Sequence, residues 1–249
     1  MSVSRSKAQE RAERHAAAQA AARRRERRRN LLTGLAVVAV IAALVGGGFL
    51  INRANDSAGA IEDAAASGTA SSDHSLAVGS ADAPHSIVIY EDFLCPLCGI
   101  VEQTAGERLT ALAEAGKVRL EYRPMVVLDR LGPYSADALN AFFVVQDAAG
   151  DEVAKAFHDL LFADQPSESQ TTFPDADWLV QKAVEAGADE DEVRAGIEDD
   201  ARADDVAAAT KAAGAAGVTG TPTILLDGQV FRDGRTYEEV ADNLVAAVQ

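Results

Sequence analysis

Two residues carry the most evident chemistry in this 249-residue chain, Cys95 and Cys98, the only cysteines it has. They stand in Phe93-Leu-Cys-Pro-Leu-Cys-Gly99, where an apolar run gives way to a helical pattern. A thiolate at a helix start feels unpaired amide groups and the positive end of the helix dipole, which lower its pKa below the free value of about 8.5. Cys95 falls at that start, and Pro96 suits the first turn, where its missing N–H has no partner to lose. Cys98 lies one turn on, within disulfide reach but deeper. Attack by Cys95 on a disulfide gives a mixed disulfide that Cys98 resolves; in reverse, the pair oxidises a substrate dithiol. Two plainer readings stand beside this one. A static bridge over so short a loop offers roughly 2 kcal/mol, against about 4.7 for a hundred-residue loop, so it is a weak staple. A metal clip would draw on His74 or His85, yet no second C-x-x-C or H-x-H pair supports it.

A second tract, Gly217-Val-Thr-Gly-Thr-Pro-Thr223, stands directly before a strand-like run. A proline at the mouth of a strand removes a ladder donor, and a cis X–Pro bond at a tight bend is one reason to tolerate it. An ordinary trans loop proline is the alternative. Other notable residues read as structural. Trp178 belongs with Leu179 in a core, and His158, among Phe157, Leu160 and Leu161, reads as a satisfied histidine at an interface. The acid-rich stretch from Asp189 to Asp205 reads as a solvated helix face, since it lacks the D-x-D-x-D-G pattern of a calcium loop.

The elements that must position these residues follow from periodicity. Ser86-Ile-Val-Ile-Tyr90 is nearly all apolar, as expected of a strand buried on both faces. Gly99 to Ala115 has helical spacing at Val101, Ala105, Leu109 and Leu112, with Gly116 as its stop. Val118-Arg-Leu-Glu-Tyr122 alternates like a strand and ends at Pro124. Strand, helix and strand in that order imply a right-handed crossover between parallel strands. Helices are expected at Tyr134–Ala149, Asp151–Ala163, Asp175–Ala186, Asp189–Asp199 and Asp204–Ala213, with acidic or hydroxyl residues near their starts. Thr223-Ile-Leu-Leu226, the turn Asp227-Gly228 and a return strand Gln229–Arg232 make a hairpin. Thr236-Tyr-Glu-Glu239 is a capping box opening a last helix, with Val240, Leu244 and Val248 inward.

The net charge of −16 hides a division. Residues 1–30 carry about +7 and the remainder about −23. A strongly acidic chain with one basic tail is not a general nucleic-acid binder. With 48% apolar and 25% charged residues, wholesale disorder is excluded, as two cysteines exclude a disulfide scaffold or a four-cysteine zinc site. Leu31 to Ile51 holds no charge, and as a helix it would measure roughly 31 Å, the thickness of a bilayer core. The expectation is a basic cytoplasmic tail at 1–30, a transmembrane helix at 31–51, a flexible linker at 52–75 and an extracytoplasmic domain at 76–249. A cleaved signal peptide ending near Ala58-Gly59-Ala60 and a twin-arginine export signal at Arg28-Arg29 are the rival readings.

Together, E-D-F-x-C-P-x-C-G at Glu91–Gly99, G-V-x-G-T-P-T at Gly217–Thr223 and a helical block at about 134–213 between them resemble the thioredoxin superfamily. Over residues 78–249 the likeness is to DsbA-like, membrane-anchored thiol–disulfide oxidoreductases of Gram-positive, especially actinobacterial, envelopes. The resemblance implies an α/β thioredoxin fold with an inserted helical subdomain, after one transmembrane helix. It implies Cys95 as nucleophile, Cys98 as resolving cysteine and Thr221-Pro222 as a cis-proline loop that binds extended substrate. Pro96 and Leu97 would tune the pair. Three departures bear on direction. Leu97 stands where strongly oxidising members have His, which suggests a weaker oxidant. Ile89 stands where many relatives have a buried carboxylate, so Glu91 or Asp92 would take over that proton relay, a solvent-facing role being the alternative for each. Thr221 replaces an apolar residue and decides nothing. The implied activity is disulfide formation in exported proteins, without cofactor or metal, by a monomer at the cell membrane. A membrane re-oxidant of DsbB or vitamin K epoxide reductase-like type would be its partner. A reductase and a non-catalytic thioredoxin-fold binding module are the alternatives.

Overall fold

In the computed structural model, residues 74–249 are described. A short strand, β1 (Leu76–Val78), precedes β2 (His85–Glu91), the apolar run expected to be a strand. A helix follows in three sections: α1 (Pro96–Val101), a π-helical turn (Glu102–Gly106) and α2 (Glu107–Glu114). It starts three residues before the expected Gly99, because Cys95 already serves as its N-cap. Gly116, at φ 72°, ends it in the left-handed region that glycine adopts without strain. The chain then enters β3 (Val118–Pro124), which pairs in parallel with β2, Ile87 facing Leu120 and Ile89 facing Tyr122.

Four helices intervene before the sheet resumes: α3 (Tyr134–Ala163), α4 (Ala176–Ala186), α5 (Glu190–Glu198) and α6 (Ala203–Ala215). The two helices expected across 134–163 are there, joined at Gly150, whose φ of 83° and ψ of 175° break the helical path. Asp175 and Asp189 cap α4 and α5, accepting from the amides of Trp178 and Asp191. The hairpin β4 (Thr223–Leu226) and β5 (Gln229–Val230) turns on Asp227 and Gly228, both at positive φ as a two-residue primed turn requires. The return strand is shorter than expected, ending at Val230 rather than Arg232. Helix α7 (Tyr237–Ala247) is capped by Thr236, which accepts from the Glu239 amide at 3.3 Å. The Glu239 side chain bonds the Arg235 amide instead of closing the box on Thr236.

The five strands lie in the order β1-β3-β2-β4-β5, with only β2 and β3 parallel. Central β2 and β3 supply Ile87, Ile89, Leu120 and Tyr122 to the core, all at most 1% exposed. Helix α3 packs on α4, α5 and α6, while α7 packs on α1 and the π-turn. The result is a mixed α/β, thioredoxin-like fold with an inserted helical subdomain.

The expected membrane helix requires a correction. Among the described residues, no helix is long and apolar enough to cross a membrane. The longest, α3, carries Asp137, Asp147, Asp151, Glu152, Lys155 and Asp159 and breaks at Gly150. The tail, the span at 31–51 and nearly all of the linker at 52–75 lie outside the described residues. The membrane-anchored family type, the membrane location, the anchored partner arrangement and the single-pass orientation are corrected with it.

Candidate active site

The site is built where β2 runs out. The turn after Glu91 is closed by Asp92, whose carbonyl accepts from the Cys95 amide at 2.9 Å while its Oδ1 accepts from the Leu94 amide at 2.8 Å. Cys95 then takes an extended conformation as N-cap (φ −71°, ψ 113°), and Pro96 occupies the first turn. A residue beyond α3 holds this turn from the other side. The Gln165 side chain donates from Nε2 to the carbonyls of Phe93 and Cys95, both at 3.0 Å. Gly99 is what admits it, since a Cβ there would overlap the Gln165 amide.

Both cysteines are free thiols, yet their surroundings differ. Cys95 is 5% exposed and its Sγ lies 3.4 Å from the Thr221 carbonyl oxygen, to which it donates. Its pKa is lowered from 9.0 to about 7, chiefly by a hydrogen bond from Cys98, with the Thr221 side chain and the Leu97 and Cys98 backbone helping and burial opposing. Cys98 is raised well above its ordinary value by burial, then by Cys95 and by the Glu91 carboxylate. Cys95 is thus the better thiolate and Cys98 the buried thiol.

The Thr221–Pro222 bond is cis. It lies in an open groove of about 430 Å³ whose lining includes Thr221, Pro222, Phe231, Arg232 and Tyr237. Burial and the two cysteines raise the Tyr237 hydroxyl, which places it within electrostatic reach of the thiols. Leu97 faces solvent at 38% exposure. Cys95, Pro96, Leu97, Thr221 and Pro222 therefore form the mouth of one site.

The two candidate relay carboxylates have different fates. Asp92 is fully buried, and beyond Leu94 it accepts from Ser135 Oγ at 2.7 Å and from the Val127 and Leu128 amides at 2.7 and 3.0 Å. Four donors saturate it, so it pins the 125–128 segment and the start of α3. Glu91, equally buried, places Oε1 2.7 Å from His158 Nε2 and leaves Oε2 without a hydrogen-bond partner. A solvent-facing role is excluded for both.

His158, expected as a satisfied interfacial histidine, is fully buried with both ring nitrogens on carboxylates. Its Nδ1 lies 2.9 Å from Asp159 Oδ1. Against the cost of burial, Glu91 and Asp159 raise its pKa from 6.5 to about 9. Beside it, burial and Glu91 raise Glu102 from 4.5 to about 8. Lys155 bonds Asp159 at 2.6 Å and lies over the Tyr122 ring. Glu102, His158 and Asp159 bring one ligating atom each within 4.8 Å of one another. Both imidazole nitrogens are already engaged by carboxylates. His74 and His85 pair with Asp205 and Asp227, away from the cysteines. Trp178 packs near Tyr134 and under Lys182, as core packing predicts.

Sequence reasoning missed Gln165, Glu102 and Tyr237. Glu102 left a trace, standing seven residues, or two turns, after Cys95; Gln165, in a polar stretch, left none.

A family model described as Thioredoxin matches residues 71–245. Oxidised DsbA of Mycobacterium tuberculosis is 28% identical, with a TM-score of 0.57 over 70% of this chain and 100% of its own. DsbG of the same organism, in its reduced form, is 28% identical, with a TM-score of 0.60 over 76% and 98%. MdbA of Corynebacterium diphtheriae, a thiol-disulfide oxidoreductase, shares the fold at 23% identity, with a TM-score of 0.60 over 71% and 90%. A Na(+)/H(+) antiporter, NhaA 1 of Salinispora arenicola, is 33% identical over 170 residues, 68% of this chain and 24% of that protein. The chain thus spans about a quarter of the length of the curated relatives it matches. Matched over most of its length, the chain belongs to the thioredoxin family, as a redox protein related to DsbA and DsbG.

Proposed function

We propose that the thioredoxin-like domain, from about residue 76 onward, forms disulfides in exported proteins by dithiol–disulfide exchange through Cys95 and Cys98. The observation that carries this reading is the Cys95 thiol, at the start of α1, lowered to about 7 and 3.4 Å from the Thr221 carbonyl beside the groove. A substrate thiolate attacks Cys95 Sγ of the oxidised pair; the new S–S bond forms as Sγ95–Sγ98 breaks, and Cys98 leaves with the electron pair and takes a proton. A second substrate thiolate attacks the substrate sulfur of the mixed disulfide and releases Cys95. The substrate is oxidised by two electrons and the enzyme reduced by two. The open edge of the 219–223 loop suits an extended polypeptide, held by main-chain hydrogen bonds.

One observation favours the reverse direction. A Cys95 pKa of about 7 matches the value near 7 of thioredoxin, a reductant, rather than the value near 3.5 of DsbA. The redox potential of the pair in the full-length chain, measured with refolding of a reduced substrate protein, separates the two. A potential near about −120 mV with refolding supports the oxidase, and one near about −270 mV supports the reductase. A bridge that resists reduction below about −300 mV would remove both in favour of a non-catalytic module. A Cys98→Ser chain should also trap clients as mixed disulfides, and an empty trap would count against client oxidation.

A further inference from the structure

The exchange reaction fixes where a client's cysteine must go, but not which clients the groove beside it favours. Over residues 76–249 the chain has 12 Lys and Arg against 32 Asp and Glu, so its field is repulsive to anions over most of the surface. Two cavities reflect that excess. One, of about 450 Å³, has Glu102, Glu107, Glu114 and Asp159 on its wall and no cation. Another, of about 550 Å³, has Asp129, Asp137 and Asp200 against Lys211. The groove at 219–240 is the exception. Its charged lining consists of Arg232 and Arg235, with no carboxylate. Asp233 and Glu238 are exposed neighbours in the chain but do not line it.

The two arginines differ. Arg235 is held by Glu239, Nη2 to Oε1 at 2.9 Å, with its side chain 89% exposed. Arg232 is also exposed, yet among the described residues no hydrogen bond or ion pair engages its guanidinium. It shares a neighbour with the reacting thiols: burial and then both cysteines raise the Tyr237 hydroxyl, and Arg232 opposes them. A guanidinium with its donors uncommitted, on the rim of a groove that holds no anion, is arranged to take a carboxylate from outside through two parallel N–H···O bonds.

We infer that the groove selects client segments with a carboxylate close to the reacting cysteine, and that Arg232 is the residue that reads it. The inference rests on the exchange reaction above and names the clients that reaction favours. A client docked in extended form along the 219–223 loop advances about 3.3 Å per residue and turns alternate side chains to one face. When its cysteine points at Cys95, the residues two positions away point to the same face, about 7 Å off, and its immediate neighbours point away. An Asp or Glu two residues from the cysteine is therefore the side chain offered to Arg232, whereas a Lys there meets like charge. Because the rim is open to water, the gain is that of an exposed ion pair, about two- to fivefold, and it is screened by salt.

Short peptides test this on the reduced full-length chain. Each carries one cysteine as a mixed disulfide with thionitrobenzoate, and Glu, Gln or Lys two residues before it in one series or two residues after it in another. The Cys95 thiolate attacks the peptide sulfur; the Cys95–peptide S–S bond forms as the bond to thionitrobenzoate breaks, and that coloured thiolate leaves with the electron pair. Dividing each rate by that of the same peptide with dithiothreitol removes differences in intrinsic reactivity. In at least one series Glu should lead Gln by about two- to fivefold and Lys should trail, with the spread closing as the screening length falls from about 10 Å in 0.1 M salt to about 3 Å in 1 M. Arg232→Lys should keep that order, Arg232→Gln flatten it and Arg232→Glu reverse it. The ratio of rates within each variant is the readout, since a merely structural role would slow all peptides together. Equal rates in both series, a lead for Lys, or a Glu lead that persists in Arg232→Gln and Arg232→Glu overturns the inference and leaves the exchange reaction standing. Absence of thionitrobenzoate release from every peptide overturns the exchange reaction itself.

Discussion

Cys95 and Cys98 are three residues apart on one helix start, and they face opposite kinds of medium. Around Cys95 are backbone donors, a carbonyl of the 219–223 loop and an open groove; around Cys98 are the core and the Glu91 carboxylate. One helical turn suffices because the first sits at the N-cap beside the 219–223 loop and the second lies inside the core. The lesson is that direction of attack belongs to the surroundings rather than to the C-x-x-C spacing. Replacing each cysteine breaks the comparison most sharply. Cys95→Ser should abolish exchange, a loss of about a thousandfold or more, since no second thiolate is near. Cys98→Ser should also end turnover but keep attack, so it accumulates mixed disulfides that Cys95→Ser never forms. Electrophoresis without reductant distinguishes the two, and equal trapping by both would refute the asymmetry.

The same contrast recurs between neighbours Asp92 and Glu91. Asp92 accepts four hydrogen bonds, while Glu91 keeps an oxygen free. Asp92→Asn would turn an N–H₂ group toward two donors, leaving buried groups unsatisfied at about 1–3 kcal/mol each. A loss of about 3–5 kcal/mol in urea unfolding is expected, with the 125–128 segment loosened. A loss under about 1 kcal/mol would show that Asp92 is not the anchor described.

How much of this was legible in the sequence follows the same divide. The mouth could be read because its parts are contiguous: Glu91 to Gly99 in one tract, Gly217 to Thr223 in another. The central strands could be read because burial on both faces leaves continuous apolar runs. Strand β1 could not, since three residues show no period, and the π-turn reads as ordinary helix. The interior network draws Glu91, Glu102, Tyr122 and His158 from four elements, and no local pattern announces such a meeting. His158 in particular looked like a packing residue, because its flanking Phe157 and Leu161 are indeed core. The apolar run at 31–51 pulled the expectation toward a membrane protein, whereas the described residues hold no helix able to cross one.

Interior and mouth also differ in the sign of their pH dependence. His158 is raised from 6.5 to about 9 in the fold, so its contribution is complete below 6.5 and is lost as pH rises through 9. Glu102, raised from 4.5 to about 8, has the same sign: complete below 4.5 and lost as pH rises through 8. Cys95 is opposite, since a value lowered from 9.0 to about 7 contributes above 9 and is lost as pH falls through 7. The oxidised protein, lacking the thiol, should therefore lose ~3 kcal/mol from His158 alone between pH 6.5 and 9.5. Up to about pH 9, above which the raised Cys98 acts with the opposite sign, the reduced protein should regain about 1–2 kcal/mol of this from Cys95, after discounting for solvent at the mouth. Urea unfolding of both forms across this range checks the signs, and parallel curves for the two forms would refute them.

The smallest change sharpens the comparison from the mouth alone. Leu97 is 38% exposed, so Leu97→His alters little packing and should leave folding stability within about 0.5 kcal/mol. An imidazole there can donate to the Cys95 thiolate, favouring the reduced pair, while the buried Cys98 gains nothing comparable. A fall of one unit in the Cys95 pKa corresponds to ~1.4 kcal/mol, which for a two-electron couple is about 30 mV. The expected result is a thiolate absorbance midpoint moved below 7 and a potential raised by about that amount in a glutathione buffer. A midpoint that moves with no change in potential would mean that Cys98 is compensating, and that the two thiols are less independent than their surroundings imply.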